Sequence, residues 1–287
     1  MPAARIHTML FPGGKRKALT LSYDDGVIQD RRLIELMKKY GVKGTFNLNS
    51  ALLGRTEKME IDGKSVDIST VTLGEAAELY RGFEVATHAS KHTALGNFGA
   101  AALTEILEDR LLFESQVPYL VRGHAYPFGI YDAKVKEMLK TAGIQYARTV
   151  TSTYSYELPR DFLEWNPTCH HSDQKLMELT KQFCDKEALF GQPQLFYLWG
   201  HAYEFDADQN WDVIETFLSY VCDFGSVIWA ATNIEIVDYI TAYQGLVYAA
   251  DGRRVYNPSA HTVWMDWFGE IYEIPPGKIV KYCGLLP

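Results

Sequence analysis

From residue 18 to residue 243, short apolar runs alternate with longer amphipathic stretches, and few folds accept that rhythm. Apolar runs at 19–21, 43–48, 83–87, 119–123, 144–149, 195–199 and 227–231 read as strands, with 162–168 as a weaker one. Leu19 and Leu21 alternate as a half-buried strand would. The stretches 28–40, 73–81, 102–114, 132–141, 173–189, 211–221 and 234–243 read as helices. In the first of them Leu33, Ile34, Leu36 and Met37 share one face, and Gly41 ends it. Thr72 caps the second, with Glu75 in its first turn. Residues 49–70 are polar and aperiodic, which predicts an insertion or long loop. Seven or eight strands interleaved with helices favour an α/β fold with a parallel barrel over an open sheet. A chain of 287 residues, 47% hydrophobic, can bury one large core of this kind.

The rhythm changes at Gly245. Val247-Tyr248, Val255-Tyr256, Val263-Trp264 and Ile271-Tyr272, with turns at Asp251-Gly252 and Pro275-Pro276-Gly277, read as short antiparallel strands. The expected organisation is a barrel over 1–243 and a small strand-rich extension over 244–287. Aromatic side chains in such an extension more often pack than cover a groove for sugar rings.

Composition removes several function classes. The net charge of -8, without a basic run, argues against a nucleic-acid surface. No stretch approaches the length of a membrane span, and residues 1–20, despite Arg5, Lys15, Arg16 and Lys17, lack the apolar core of a leader. The expectation from that is a cytoplasmic protein. Cys169, Cys184, Cys222 and Cys283 are too widely spaced for a zinc knuckle or redox dithiol, and buried reduced thiols are expected. Cys169 precedes His170 and His171, but adjacency in sequence seldom gives a nucleophile and its base a facing geometry. Nothing in the chain specifies an oligomeric state.

Strand ends in a parallel barrel converge on one face, and several here carry polar groups. Ser22-Tyr23-Asp24-Asp25-Gly26 closes the first strand with two carboxylates. Neighbours on an extended backbone point in opposite directions, so the pair has two jobs unless the chain turns between them, and Gly26 supplies a turn. An Asp-Gly turn capping the next helix is the simpler reading and stays open. His88 and His92 are spaced so that, on a helical turn, both imidazoles reach one ion. With one carboxylate they make a three-ligand set with an open position, suited to a catalytic zinc or similar divalent ion. His201 follows the last apolar run but one, where a buried hydrogen-bonded histidine beside Trp199 and Tyr203 is the alternative. His170 and His171 have no assigned role, a satisfied structural histidine being the commoner case.

On these residues the chain, from 18 to 239, resembles the polysaccharide deacetylases of the NodB-homology type, carbohydrate esterase family 4. The resemblance implies a distorted (β/α)7–8 barrel in which Asp24 is the general base and Asp25, His88 and His92 hold the metal. His88-Ala89-Ser90-Lys91-His92 matches the family's His-Ser/Thr-x-x-His, with alanine in place of the hydroxyl residue. Ala125-Tyr126-Pro127-Phe128-Gly129 stands for its third motif, implying an oxyanion or substrate role at Tyr126 and Phe128. The Phe128 N–H is the implied oxyanion donor, and His201 the implied general acid. Asp161-Phe162-Leu163-Glu164-Trp165 only loosely echoes a fourth motif.

The implied reaction removes an N-acetyl or other acyl group from an amino sugar, in a glycan or a sugar precursor. Hydrolysis of a small non-peptide amide, or sugar binding without catalysis, are the alternatives. Ala125 stands where the family has an arginine that orients its catalytic aspartate. Asp24 is therefore expected to be poorly oriented and activity modest, unless Arg122 or Arg148 takes that place.

Overall fold

A computed structural model describes residues 7–97, 99–187 and 191–282. Arg5, Cys283 and the far end of the helix expected to reach residue 189 lie outside the described residues.

The strand Lys17–Asp24 is the spine of an eight-stranded parallel sheet. It is buried at every position rather than on alternate ones, because helices cover one face and the curled sheet's interior covers the other. Gln194–His201 pairs along its whole length and brings His201 opposite Asp24. On the other side Thr45–Leu48 pairs with its carboxyl half, Asn47 opposite Asp24, while Ile228–Ala230 pairs with its amino half. Glu84–Thr87, Gly123–Ala125 and Tyr146–Arg148 continue the sheet one way, and Cys169–His170 lies beyond Gln194–His201. The circuit nearly closes through an irregular stretch. Trp165 bridges Arg148, and the Thr168 N–H donates to the Tyr197 carbonyl at 2.8 Å. This is the curled, distorted barrel that the alternation implies.

The weak strand expected at 162–168 is instead a single turn, Phe162–Glu164, capped by Asp161. Pro167 has no N–H to give a ladder, so regular pairing begins only at Cys169. The helix expected over 173–189 runs Leu176–Asp185. Within 49–70, Lys58–Ile61 and Lys64–Asp67 form a hairpin across Asp62 and Gly63, whose φ values of 49° and 75° suit a tight mirror-image turn. The Asp-Gly pair was its signal. Thr72 caps Leu73–Leu79 as expected, accepting the Glu75 N–H.

Two three-stranded antiparallel sheets follow the barrel. Val247–Tyr248, Arg254–Tyr256 and Ile279–Lys281 form one; Val263–Trp267 and Glu270–Ile274 join His7–Leu10 in the other. The strand His7–Leu10 is unanticipated and ties the beginning of the described chain to its end. Trp267 stacks on Tyr282 at 4.4 Å over a small core of Val255, Val263, Met265 and Ile274, the packing use of these aromatics. Among the described cysteines, Cys169 and Cys184 are buried, but Cys222 is exposed at a helix end, against expectation. Burial pushes the Cys169 thiol up to about 12, too high for a thiolate nucleophile. Among the described residues no helix is long and apolar enough to cross a membrane.

Candidate active site

The turn after the first barrel strand occurs at Asp25 itself, at φ 76°, one residue before Gly26 at φ 65°. That turn lets both carboxylates face one end of the barrel: His88 Nε2 lies 3.7 Å from Asp24 Oδ2 and 3.7 Å from Asp25 Oδ1. Gly26 cannot be replaced cheaply, since its φ of 65° is one that a side chain strains.

His88 follows Glu84–Thr87, and its N–H donates to the Leu48 carbonyl at 3.0 Å and to Asp109 Oδ2 at 3.1 Å. Its Nδ1 lies 2.8 Å from the Ala125 carbonyl, which can only accept. The proton therefore sits on Nδ1 and the Nε2 lone pair faces the site. His92 does not reach the site on a helical turn. The chain loops, with Ala89 at φ 60° and His92 at φ 54°, and Asn49 Nδ2 holds the carbonyls of His88 and Ala89 at 2.7 Å each. Asp25, His88 and His92 each offer a ligand atom, all within 4.8 Å of one another. Two imidazoles and one carboxylate, one ring already oriented from behind, could hold a metal ion.

Asp24 has a different environment. Its side chain is 2% exposed, Asn47 Nδ2 donates to Oδ1 at 2.7 Å, and Arg148 Nη2 donates to Oδ2. Burial pushes its carboxyl up, but Arg148, His88, His201 and Asn47 outweigh that and hold it at about 2. The expectation of a poorly oriented Asp24 is thus overturned. Arg148 is the in-register partner of Ala125 on the neighbouring strand, so the guanidinium comes from one strand over, past a side chain too small to obstruct it. Trp199 flanks that guanidinium, with its ring centroid 4.3 Å from Cζ. Arg122 is engaged elsewhere, in a two-pronged pair with Asp238 at 2.7 and 2.8 Å.

His201 Nε2 lies 3.9 Å from Asp24 Oδ2, and its Nδ1 lies 3.3 Å from Glu204 Oε1. Burial pushes the imidazole down, but Glu204's hydrogen bond and the charges of Asp24, Asp25 and Glu204 carry it up to about 9. Glu204 Oε2 meanwhile receives His170 Nε2 at 3.2 Å and His171 Nε2 at 3.1 Å. Burial alone would raise the Glu204 carboxyl, yet the three imidazoles bring it far below the ordinary range.

Phe128 stands at the rim, 63% exposed, at φ 58°, with its ring edge-on to His92 at 4.5 Å. Tyr126 is placed otherwise than expected. Its ring is fully buried and its hydroxyl donates to the Leu163 carbonyl at 2.8 Å, so the side chain is an internal strut with no access to a substrate. Asp161 and Trp165 are structural too, the one a cap paired with Lys136, the other in the core.

Asn47, Asp109 and Glu204 were not foreseen. Asn47 lies one residue before the end of Thr45–Leu48 and opposite Asp24, so attention to polar groups near strand ends would have found it. Asp109 lies inside the helix Ala100–Glu114 and Glu204 three residues after His201, positions without a local signal.

Residues 12–147 match the family model described as polysaccharide deacetylase. Among solved structures, a Mycobacterium smegmatis protein put forward as a polysaccharide deacetylase superposes with a TM-score of 0.57 at 16% identity, covering 83% of this chain and 94% of that one. The Xyl-CE4 domain of a multidomain xylanase from the hindgut metagenome of Trinervitermes trinervoides gives 0.51 at 15% identity, covering 79% and 92%. At such identities the likeness is one of fold. No curated protein sequence matches the chain.

Proposed function

From the premise that residues 12–147 place the chain in the polysaccharide deacetylase family, we propose that it is a metal-dependent hydrolase removing an N-acetyl group from an amino sugar, in a glycan or a sugar precursor. One observation carries the reading: the Oδ2 of a buried carboxylate, Asp24, lies 3.7 Å from Nε2 of His88 in the ligand set and 3.9 Å from Nε2 of His201. Acyl hydrolysis needs a base and an acid flanking one electrophilic centre, and this arrangement supplies both.

Asp25 Oδ1, His88 Nε2 and His92 Nε2 would hold the ion, most simply zinc. When bound, such an ion supplies Lewis-acid polarisation of an acyl carbonyl and acidifies a water. Asp24 takes the proton of the attacking water at a carboxylate oxygen, and Asn47 and Arg148 keep that carboxylate ionised and fixed. His201 Nε2 gives a proton to the leaving amine, with the Glu204 carboxylate 3.3 Å from Nδ1 favouring the protonated ring. The Phe128 N–H is the oxyanion donor of this reading, on an exposed residue whose ring meets that of His92 at 4.5 Å. The hydrogen bond from Arg148 to Asp24 weighs against the reading of a binding protein crippled by its missing arginine. Metal analysis followed by an acetate-release assay on N-acetylated sugar oligomers tests the proposal. Metal-loaded protein that releases no acetate from any amino sugar would sink it.

A further inference from the structure

Among the described residues, one other group of side chains could hold a metal ion: His170, His171 and Glu204, on the far side of His201 from Asp25, His88 and His92. The two histidines are chain neighbours, yet their rings lie 4.5 Å apart and converge on one carboxylate oxygen. That convergence is built. The His171 ring is wedged between Phe205, stacked at 4.1 Å, and Gly200, where an added Cβ would fall 2.0 Å from Nδ1. His170 Nδ1 accepts the Ser172 N–H at 3.2 Å and lies 2.7 Å from the Ser172 hydroxyl, so Nε2 is turned toward Glu204 and gives up its proton when an ion binds.

The separations suit a chelate. Bonds of about 2.0–2.2 Å in tetrahedral array put neighbouring ligand atoms about 3.3–3.6 Å apart. Glu204 Oε2 lies 3.2 Å from His170 Nε2 and 3.1 Å from His171 Nε2, against 3.7 and 3.9 Å from Asp25 Oδ1 to its two imidazoles. His171 is buried, while the His170 and Glu204 side chains are 19% and 26% exposed, so an ion has an open side toward solvent.

We propose that His170, His171 and Glu204 form a second divalent-cation site for zinc or a similar nitrogen-preferring ion, and that an ion there draws Glu204 from His201, so that excess metal slows turnover. The first clause stands on its own geometry. The second rests on His201 acting as the acid of the proposed reaction.

Zinc per chain, measured after saturation and gel filtration, decides the first clause. Wild type should hold two equivalents, His170→Gln one, Asp25→Ala one, and the double variant none, with a thermal melt confirming that each is folded. A single wild-type equivalent that Asp25→Ala removes overturns the second site and leaves the catalytic reading intact. A single equivalent that survives Asp25→Ala and vanishes in His170→Gln upholds the second site and removes the catalytic one. Two equivalents in both wild type and His170→Gln overturn the assignment to these residues. For the second clause, excess zinc should slow wild type by roughly tenfold or more, the scale of an impaired general acid, and leave His170→Gln at its own starting rate. Two bound equivalents with undiminished wild-type turnover would overturn that coupling.

Discussion

Asp24 is buried and doubly held, whereas the neighbouring Asp25 is 26% exposed and faces two imidazoles, so one substitution at each should separate two roles. Asp25→Ala should lose the equivalent of metal held with His88 and His92, while Asp24→Asn keeps it and turns over about 10²- to 10⁴-fold more slowly. Elemental analysis beside acetate release checks this, and the reverse pattern means the pair is assigned backwards. Arg148→Met leaves Asp24 as an uncompensated buried charge, which should lower unfolding stability by about 3–5 kcal/mol. Adding Asp24→Asn should recover much of that stability and none of the activity, a split that denaturant titration and a rate assay would reveal. At His201 the folded value near 9 exceeds the ordinary 6.5, so the acid form persists through neutrality and is lost as pH rises through 9. Amide turnover should therefore fall about tenfold per pH unit beyond that point, and the same proton's stabilising contribution, complete below 6.5, should vanish over the same rise. His201→Ala should abolish that alkaline limb and slow amides more than activated esters; an unchanged limb would remove His201 as the acid.

The strand Gln194–His201 acts as an element because its last residues meet the strand Lys17–Asp24 on one side and the His170-His171 pair on the other. Gly200 permits the second contact. In Gly200→Ala the new methyl would collide with His171, which must leave Glu204, at an overpacking cost of about 1–3 kcal/mol. The alkaline limb of the rate profile should then shift to lower pH, since Glu204 loses a fixed position beneath His201; a limb that stays in place would show that the ring tolerates the methyl. The 28–40 stretch yields Asp30–Lys39 with Leu33, Ile34 and Met37 inside, because amphipathic spacing is a local property. The 162–168 stretch failed because apolar content alone ignores the missing N–H of Pro167.

At the scale of the molecule, the extension is sewn to the barrel. His7–Leu10 pairs with Val263–Trp267, and the Tyr239 hydroxyl donates to the Leu10 carbonyl while accepting from the Trp264 N–H. Removing residues 245–287 would strip the partner strand from His7–Leu10 and uncover apolar atoms of Met9, Ala242 and their neighbours. The truncated protein should melt well below the full chain or aggregate, and an unchanged melting temperature would show that the barrel stands without it.

From its residues alone the chain determined the strand and helix alternation, the appended antiparallel strands, and the motif residues Asp24, Asp25, His88, His92 and His201, since periodicity, turn chemistry and short motifs are written in consecutive positions. Tertiary structure alone decided that Arg148 stands in register with Ala125 and reaches Asp24, that Tyr126 faces inward, and that Glu204 gathers three imidazoles. Those contacts join residues 124 apart, or depend on which way a ring turns at the end of a strand. Sheet register and close packing set them, and neither is encoded by any local window of sequence.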